Sequence, residues 1–583
     1  MALSSRLVGA AVGLFLGSAG IAAPPPLIAA SAIVGDIVYK ANVAVPMRDG
    51  VTLPTDVYRP AAPGRYPVLL IRTCYTKSSG IYTAKGRYWA SKGYVLLVQD
   101  VRGRGEADGR FYPLVYEAED GFDAQSWAGN QPWSDGKVGT LGSSYLGWTQ
   151  VYAAGLHNPH LAAMVPAVTP PDPNRNFPMA FGIAMLSGGA WLAGLDGHTN
   201  QDLGTIDMQR AYTETPTSDF DRRVGRTLPA WRDWIAHPIN DDYWQAQAYQ
   251  AKLVSSKTPM LHISGWYDDV QVGTTENFAA LTKGGAAPLG QHLLIGPWGH
   301  SPLGVRITGG VDFGPKAEVD LDEVHRRWFD RWMKNVDNGV DREAPVRVFA
   351  MGRNDWIESD RWPLPKTVYT RYFLRSGGKA NARGGDGELS TEMPGTEPSD
   401  GYRYDPANPV PYLATLDWQQ VGGPDDFSKI EERTDILVYT APAVTKPTLV
   451  CGPLKARIFA ASSARDTDWT AKLLDVHPDG RAIRLNDGAV RARYRNGNDR
   501  EKLLTPGKVE AYDIDMWSTC MELAPGHRLR LEIASSAFGK TEVNRNTGGP
   551  PNQETQTVFA DQTVFHDRTH ASYVLLPIVP TTQ

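Results

Sequence analysis

Three segments of this chain carry side chains whose types and order suit nucleophilic catalysis. The first is Gly142-Ser143-Ser144-Tyr145-Leu146-Gly147, which follows the apolar run Val138–Leu141 and precedes a Trp/Tyr/Ala-rich stretch. That order predicts a strand, a tight turn with Ser144 at its apex, and a helix, the flanking glycines leaving room for a sharp backbone. Ser144 is the candidate nucleophile, and the backbone N–H of Tyr145 at the start of the helix is a candidate oxyanion donor. Leu146 stands where G-x-S-x-G has its second glycine, and the glycine arrives one place later. The second segment, Met260-Leu-His-Ile-Ser-Gly-Trp-Tyr-Asp268, reads as a short strand ending at Gly265 with an acid in the turn beyond it. The third, His292-Leu-Leu-Ile-Gly-Pro-Trp-Gly-His300, repeats the design with an imidazole in place of the acid.

A serine hydroxyl is a weak nucleophile until a neutral imidazole accepts its proton, and a carboxylate then fixes the imidazole tautomer and stabilises the imidazolium. Ser144, Asp268 and His300 occur in the chain order of the α/β-hydrolase triad, each just beyond an expected strand. Taken singly, Asp268 also reads as a turn or capping residue and His300 as a structural loop histidine; the joint order favours catalysis.

To position these side chains the chain needs a mostly parallel sheet, and its organisation supplies one. Residues 33–170 and 250–342 alternate apolar strands with helix-like stretches, the pattern of an open α/β sheet and here of an α/β-hydrolase fold. Residues 171–249 lack clear strands and hold Trp191, Trp231, Trp234, Tyr243 and Trp244 at helical spacing, which reads as a helical cap inserted between nucleophile and acid. Most of those aromatics are expected to form cap core. An amphipathic helix is expected around Asp320 to Asn335. Residues 343–583 change to short alternating runs, beginning with Val346–Ala350 and separated by Gly, Pro, Asn and Asp, the pattern of an all-β sandwich or jelly roll.

The set Gly-Ser-Ser-Tyr-Leu-Gly, Gly-Trp-Tyr-Asp and Gly-Pro-Trp-Gly-His resembles the CocE/NonD-type serine hydrolase family, which includes cocaine esterase, α-amino-acid ester hydrolases and the X-Pro dipeptidyl-peptidases of the S15 type. Met47-Arg-Asp-Gly-Val-Thr-Leu, Asp100-Val-Arg-Gly-Arg-Gly with Asp108-Gly109, and Pro132-Trp-Ser-Asp-Gly-Lys-Val-Gly139 extend the likeness, from about Val43 to the C-terminus. The resemblance implies Ser144 as nucleophile, Asp268 as orienting acid and His300 as base. It further implies that Tyr75, in Ile71-Arg-Thr-Cys-Tyr-Thr-Lys77, joins the Tyr145 N–H in the oxyanion hole, and that the C-terminal domain is a jelly roll. Relatives that select an α-amino group carry two carboxylates just after the triad acid. Here Asp268 is followed by Asp269, Val270 and Gln271, so no strong ammonium requirement is expected. An ester, or an amide, with an acyl part suited to an apolar pocket including Trp191, Trp266 and Val270 is the expected substrate. X-Pro dipeptide release, amino-acid ester chemistry, and a catalytically dead scaffold that binds a glycan or a partner are the alternatives.

Hydrophobic residues make up 42% and charged residues 21% of the 583, as in an ordinary globular protein. A net charge of −5 with scattered basic residues argues against nucleic acid. Residues 1–32, with Arg6 ahead of an apolar small-residue run, read as a signal peptide, which makes a periplasmic or secreted location the expectation. Its glycines and prolines suit a membrane span poorly. No metal-binding or cofactor motif is found. Three cysteines exclude a disulfide-built scaffold; whether Cys451 and Cys520 pair is open, and Cys74 lacks a nucleophile turn.

Overall fold

A computed structural model describes residues 31–34, 36–413 and 423–580. The expected leader, residues 1–32, therefore lies outside the described residues but for its last two, which belong to a strand, Ser31–Val34, paired with Ile37–Lys40. No described helix is long and apolar enough to cross a membrane.

The catalytic half is organised by one eleven-stranded sheet. Its centre runs Val95–Asp100, Tyr66–Thr73, Ser134–Ser143, Leu161–Ala167, Met260–Gly265, Gln291–Gly296 and Val346–Ala350, every neighbouring pair parallel. Antiparallel strands close both edges. Central strands such as Val95–Asp100 and Met260–Gly265 are buried throughout, which is why they read in sequence as continuous rather than alternating apolar runs. Helix Leu321–Lys334 lies where amphipathic spacing placed it. Asp320 accepts from the Glu323 N–H at its start, and Asn335 takes a left-handed conformation (φ 58°) at its end.

The cap is a set of short helices, among them Leu186–Gly194 and Pro229–Ala236. Trp231, Trp234 and Trp244 are buried in the same hydrophobic cluster as Leu69, Trp148 and Val165 of the sheet domain. The cap thus has no separate core and cannot swing off without exposing those rings. A two-residue strand pair, Met179–Ala180 with Ile183–Ala184, and a bridge from Met185 to Thr541 depart from the expected helical content.

The C-terminal domain is built on a second, almost wholly antiparallel sheet. The structure differs from the sequence expectation at the seam between the two domains. Val346–Ala350, read as opening the β-domain, is instead the strand beside Gln291–Gly296, and Asp355–Ser359 pairs with it to complete the first sheet. Short alternating strands at a sheet edge look alike in sequence whichever sheet they join. Cys451 and Cys520 face one another across the antiparallel strands Thr448–Ser462 and Glu510–Leu523 and are joined by a disulfide.

Candidate active site

Sheet register brings the three expected site segments level. Ser143 is paired with Ala167, Ala167 with Ile263, and Gly265 with Gly296, so the turns bearing Ser144, Asp268 and His300 leave the same edge of the sheet. The outer two are three strand spacings apart, roughly 14 Å. Only loops that fold back over the sheet can close that span, and backbone bonds hold them there. The Ser144 N–H bonds the Ala167 carbonyl at 2.9 Å, and the Tyr267 N–H bonds the Trp298 carbonyl at 3.0 Å. Gly265 has no room for a Cβ, which would meet the Trp298 carbonyl oxygen at 2.1 Å; this explains the glycine between strand and acid.

Ser144 has φ 64° and ψ −123°, a left-handed backbone that a non-glycine residue holds only when its surroundings impose it. Gly142 (φ 148°) sits against the Leu146 side chain, and a Cβ at Gly147 would strike Thr169 Oγ1 at 2.3 Å. Both glycines are therefore structural requirements of the turn. Helix Tyr145–Ala154 begins immediately after, and because the first N–H groups of a helix have no intrahelical acceptor, the Tyr145 N–H is free to serve a ligand.

A buried polar chain anchors the Tyr145 side chain. Its hydroxyl donates to Glu117 (2.7 Å), Arg72 pairs with the other Glu117 oxygen (2.7 Å), and Arg72 also donates to Gln99 (3.0 Å). Burial raises the Glu117 carboxyl and Arg72 opposes the shift. The ring that opens the nucleophile helix is thus tied to two strands of the sheet.

Asp268 and His300 are in direct contact. His300 Nδ1 lies 2.8 Å from Asp268 Oδ1, and the Asp268 carboxylate also accepts from Ser264 Oγ (2.7 Å) and the Val270 N–H (3.1 Å). Asp268 is 1% exposed. Burial by itself would lower the His300 pKa, but the Asp268 charge and hydrogen bond, reinforced by Asp269, hold it above its ordinary value. Asp269 is also buried, and its pKa is raised by burial, with His300 opposing and Asp268 reinforcing. One of its oxygens, Oδ1, has no hydrogen-bond partner.

Tyr75 lies two residues beyond the end of strand Tyr66–Thr73. Its hydroxyl accepts from Trp191 Nε1 at 3.0 Å, and the nearby Ser144 side chain acts to lower its pKa. Burial pushes the phenol pKa well above its ordinary value, so Tyr75 keeps its proton as a donor. The loop is pinned by Arg104, which is fully buried. Its guanidinium donates to the carbonyls of Cys74 (2.7 Å) and Leu195 (2.6 Å), to that of Gly197, and to Asn200 Oδ1 (2.8 Å).

Of the expected pocket residues, Trp191 is at the site, amid the rings of Phe111, Tyr145, Phe177 and Trp234. A cavity of about 350 Å³ opens between the loop 109–113, Phe111 included, and the cap, lined also by Leu192, Leu228 and His198. Trp266 is corrected: its indole N–H bonds the Phe349 carbonyl (2.7 Å) and its ring packs on Trp362 in the core shared with the β-domain. Val270 is buried in the main core, where its backbone N–H orients Asp268. Ser264, Arg104 and Glu117 were not singled out in sequence. Ser264 was legible as a hydroxyl four residues before the acid at the same strand end, whereas the other two meet the site only through the fold.

A parallel α/β sheet carrying a strained serine turn, with an acid–imidazole pair on neighbouring strand ends, defines the α/β-hydrolase class of serine hydrolases. Residues 49–302 match the family model for X-Pro dipeptidyl-peptidase (S15 family), and residues 338–575 match that for the X-Pro dipeptidyl-peptidase C-terminal non-catalytic domain. The chain is 37% identical to cocaine esterase from Rhodococcus sp. (strain MB1 Bresler) over 94% of its own length and 99% of that protein's. It superposes on an α-amino acid ester hydrolase with TM-score 0.81 at 25% identity, covering 95% of this chain and 99% of that one. An aminopeptidase from the marine sediment archaeon Thaumarchaeota archaeon gives TM-score 0.81 at 24% identity, covering 94% and 97%. The chain belongs to the CocE/NonD family of serine hydrolases and is an enzyme that acts on esters.

Proposed function

We propose that this enzyme cleaves carboxylic esters through an acyl-enzyme on Ser144. His300 takes the Ser144 proton as the hydroxyl attacks the acyl carbonyl, and Asp268 holds the imidazole in the tautomer that can accept it. The Tyr75 hydroxyl and the Tyr145 N–H receive the negative charge on the carbonyl oxygen. His300 then protonates the departing alcohol, and a water deprotonated by the same imidazole releases the acid. The observation that carries this reading is the contact of His300 with Asp268 at strand ends level with the one that carries the strained Ser144 turn. In Ser144→Ala, hydrolysis of a p-nitrophenyl ester and labelling by a fluorophosphonate are both expected to vanish. Full turnover by pure variant would remove Ser144 from the reaction. A dead binding scaffold would leave the parent unlabelled.

The substrate we propose is an ester with an uncharged, apolar acyl group. Aromatic rings surround Trp191 beside Tyr75, and an acyl group packed there loses water-exposed apolar surface. Of the residues after the acid, Asp269 is buried with its charge against His300, and Val270 and Gln271 offer no carboxylate for an ammonium. Simple acyl esters should therefore be cleaved faster than α-amino-acid esters or X-Pro amides in one substrate panel, and a reversed preference would favour the peptidase-like reading.

We further propose export to the periplasm or beyond. The apolar N-terminal run and the Cys451–Cys520 disulfide support it, since such bonds persist in oxidising compartments. N-terminal sequencing of the mature protein from fractionated cells tests it.

A further inference from the structure

Away from the reaction site, a strand of the β-domain and two turns bring Asp475, His477 and His527 together. His527 Nδ1 lies 2.8 and 3.0 Å from the two Asp475 oxygens, and His477 Nε2 lies 3.4 Å from Oδ2. The imidazole centroids are 4.3 Å apart, and one donor atom from each residue falls within 4.8 Å of the other two. The Asp475 side chain is 3% exposed, whereas those of His477 and His527 are 26% and 17% exposed, so the cluster opens to solvent on its histidine side.

The backbone holds this arrangement before any ligand arrives. Asp475 is strand-paired with Leu529, next to the turn bearing His527. The His477 N–H bonds the Arg481 carbonyl (2.9 Å), and the His527 N–H bonds the Ala524 carbonyl (3.0 Å). Val444 bonds both Gly526 and His527 through backbone groups (both 2.9 Å), and Pro478 packs against Gly526.

We propose that Asp475, His477 and His527 form a binding site for a zinc-like divalent cation. Two imidazoles and one carboxylate suit zinc, cobalt or nickel, while the hard oxygen-seeking ions calcium and magnesium are poorly served by nitrogen donors. Three protein donors leave a position for water on the exposed side. Arg481 Nη2 lies 3.3 Å from His477 Nδ1, and its Nε donates to Asp479 Oδ2 (2.9 Å). A cation bound at Nε2 puts the ring proton on Nδ1, so loading moves this exposed guanidinium away from the imidazole. The cation would staple the turn 477–481 to the turn 524–527, a role separate from ester cleavage.

The test uses the full chain, stripped with chelator and titrated with zinc chloride alone by calorimetry, with cobalt(II) absorption as a second readout. One equivalent is expected to bind, with cobalt developing the visible bands of a low-coordinate nitrogen–oxygen site. His477→Ala and His527→Gln should each weaken binding by at least about tenfold while esterase turnover is unchanged. The glutamine retains a donor to Asp475, so it separates metal ligation from the hydrogen bond. Absence of binding to the parent, parental affinity retained in both variants, or loss of the equivalent only in His300→Ala, which would place the metal at the reaction site, would each overturn the proposal.

Discussion

Tyr75 and Asp269 sit beside the reacting groups and act by different physics. Tyr75 presents a neutral donor whose proton burial keeps in place. Tyr75→Phe should leave the fold unchanged, since the Trp191 ring still packs there, and lower kcat by roughly 10²- to 10³-fold, the cost of one oxyanion donor. A kcat within a few-fold of the parent would place the oxyanion elsewhere. Asp269 acts by charge. In the proposed mechanism His300 must be neutral to accept the Ser144 proton, and its pKa is held above the ordinary 6.5. Activity should therefore fall as pH drops through a value above 6.5 rather than below it, in the profile of kcat/KM for the free enzyme. Asp269→Asn removes one of the charges that stabilise imidazolium, so this acid limb should move to lower pH while activity at high pH persists. An unmoved limb would show that Asp268 alone sets the titration.

Arg104 governs an element rather than an atom. It bonds the carbonyl just before Tyr75 and the cap loop 195–200 together, and it does so with a fully buried guanidinium whose acceptors, apart from Asn200, are backbone carbonyls. Arg104→Ala leaves those carbonyls unpaired in the interior and frees the Tyr75 loop. Misplacing a catalytic group by about 1 Å costs on the order of 10²-fold, so kcat/KM should fall by about that factor, together with a lower melting temperature. Retention of both would mean the loop is held by other contacts. The motif Asp100-Val-Arg-Gly-Arg-Gly marked this segment as family-like, yet the job of its second arginine is visible only once the cap folds over it. Val346–Ala350 teaches the same point for a strand, because its alternation suited either sheet and the parallel pairing with Gln291–Gly296 was decided by tertiary contact.

Buried charge joins the β-domain to the cap, and a covalent link braces the β-domain itself. Arg491 of the β-domain is paired with Asp468 (2.9 Å) and Glu542 (2.8 Å) and donates to the cap carbonyl of Gly182 (3.1 Å), so β-domain and cap form one wall. Breaking that triad by Arg491→Leu strands two buried carboxylates and should cost about 3–5 kcal/mol, read as a lower urea midpoint; an unchanged midpoint would mean water reaches the acids. The Cys451–Cys520 bond spans a sequence separation of 69 residues. Loop-closure entropy for such a span is about 4 kcal/mol, so Cys451→Ser/Cys520→Ser should also unfold at lower urea. Equal midpoints would show that the paired strands suffice.

The order serine, acid, histidine was legible in the chain because each side chain follows a buried parallel strand, and such strands declare themselves as unbroken apolar runs between small residues. The helical cap and the β-rich C-terminal third were legible for a like reason, as local periodicity reports local structure. What the linear order could not contain is which distant groups share an interior. The turning of Trp266 into the core, the burial of Asp269 against His300, the Arg104 clasp and the cysteine pairing were all decided by how two sheets and a cap pack. Burial and Coulomb interaction depend on three-dimensional neighbours, and sequence spacing carries no record of them.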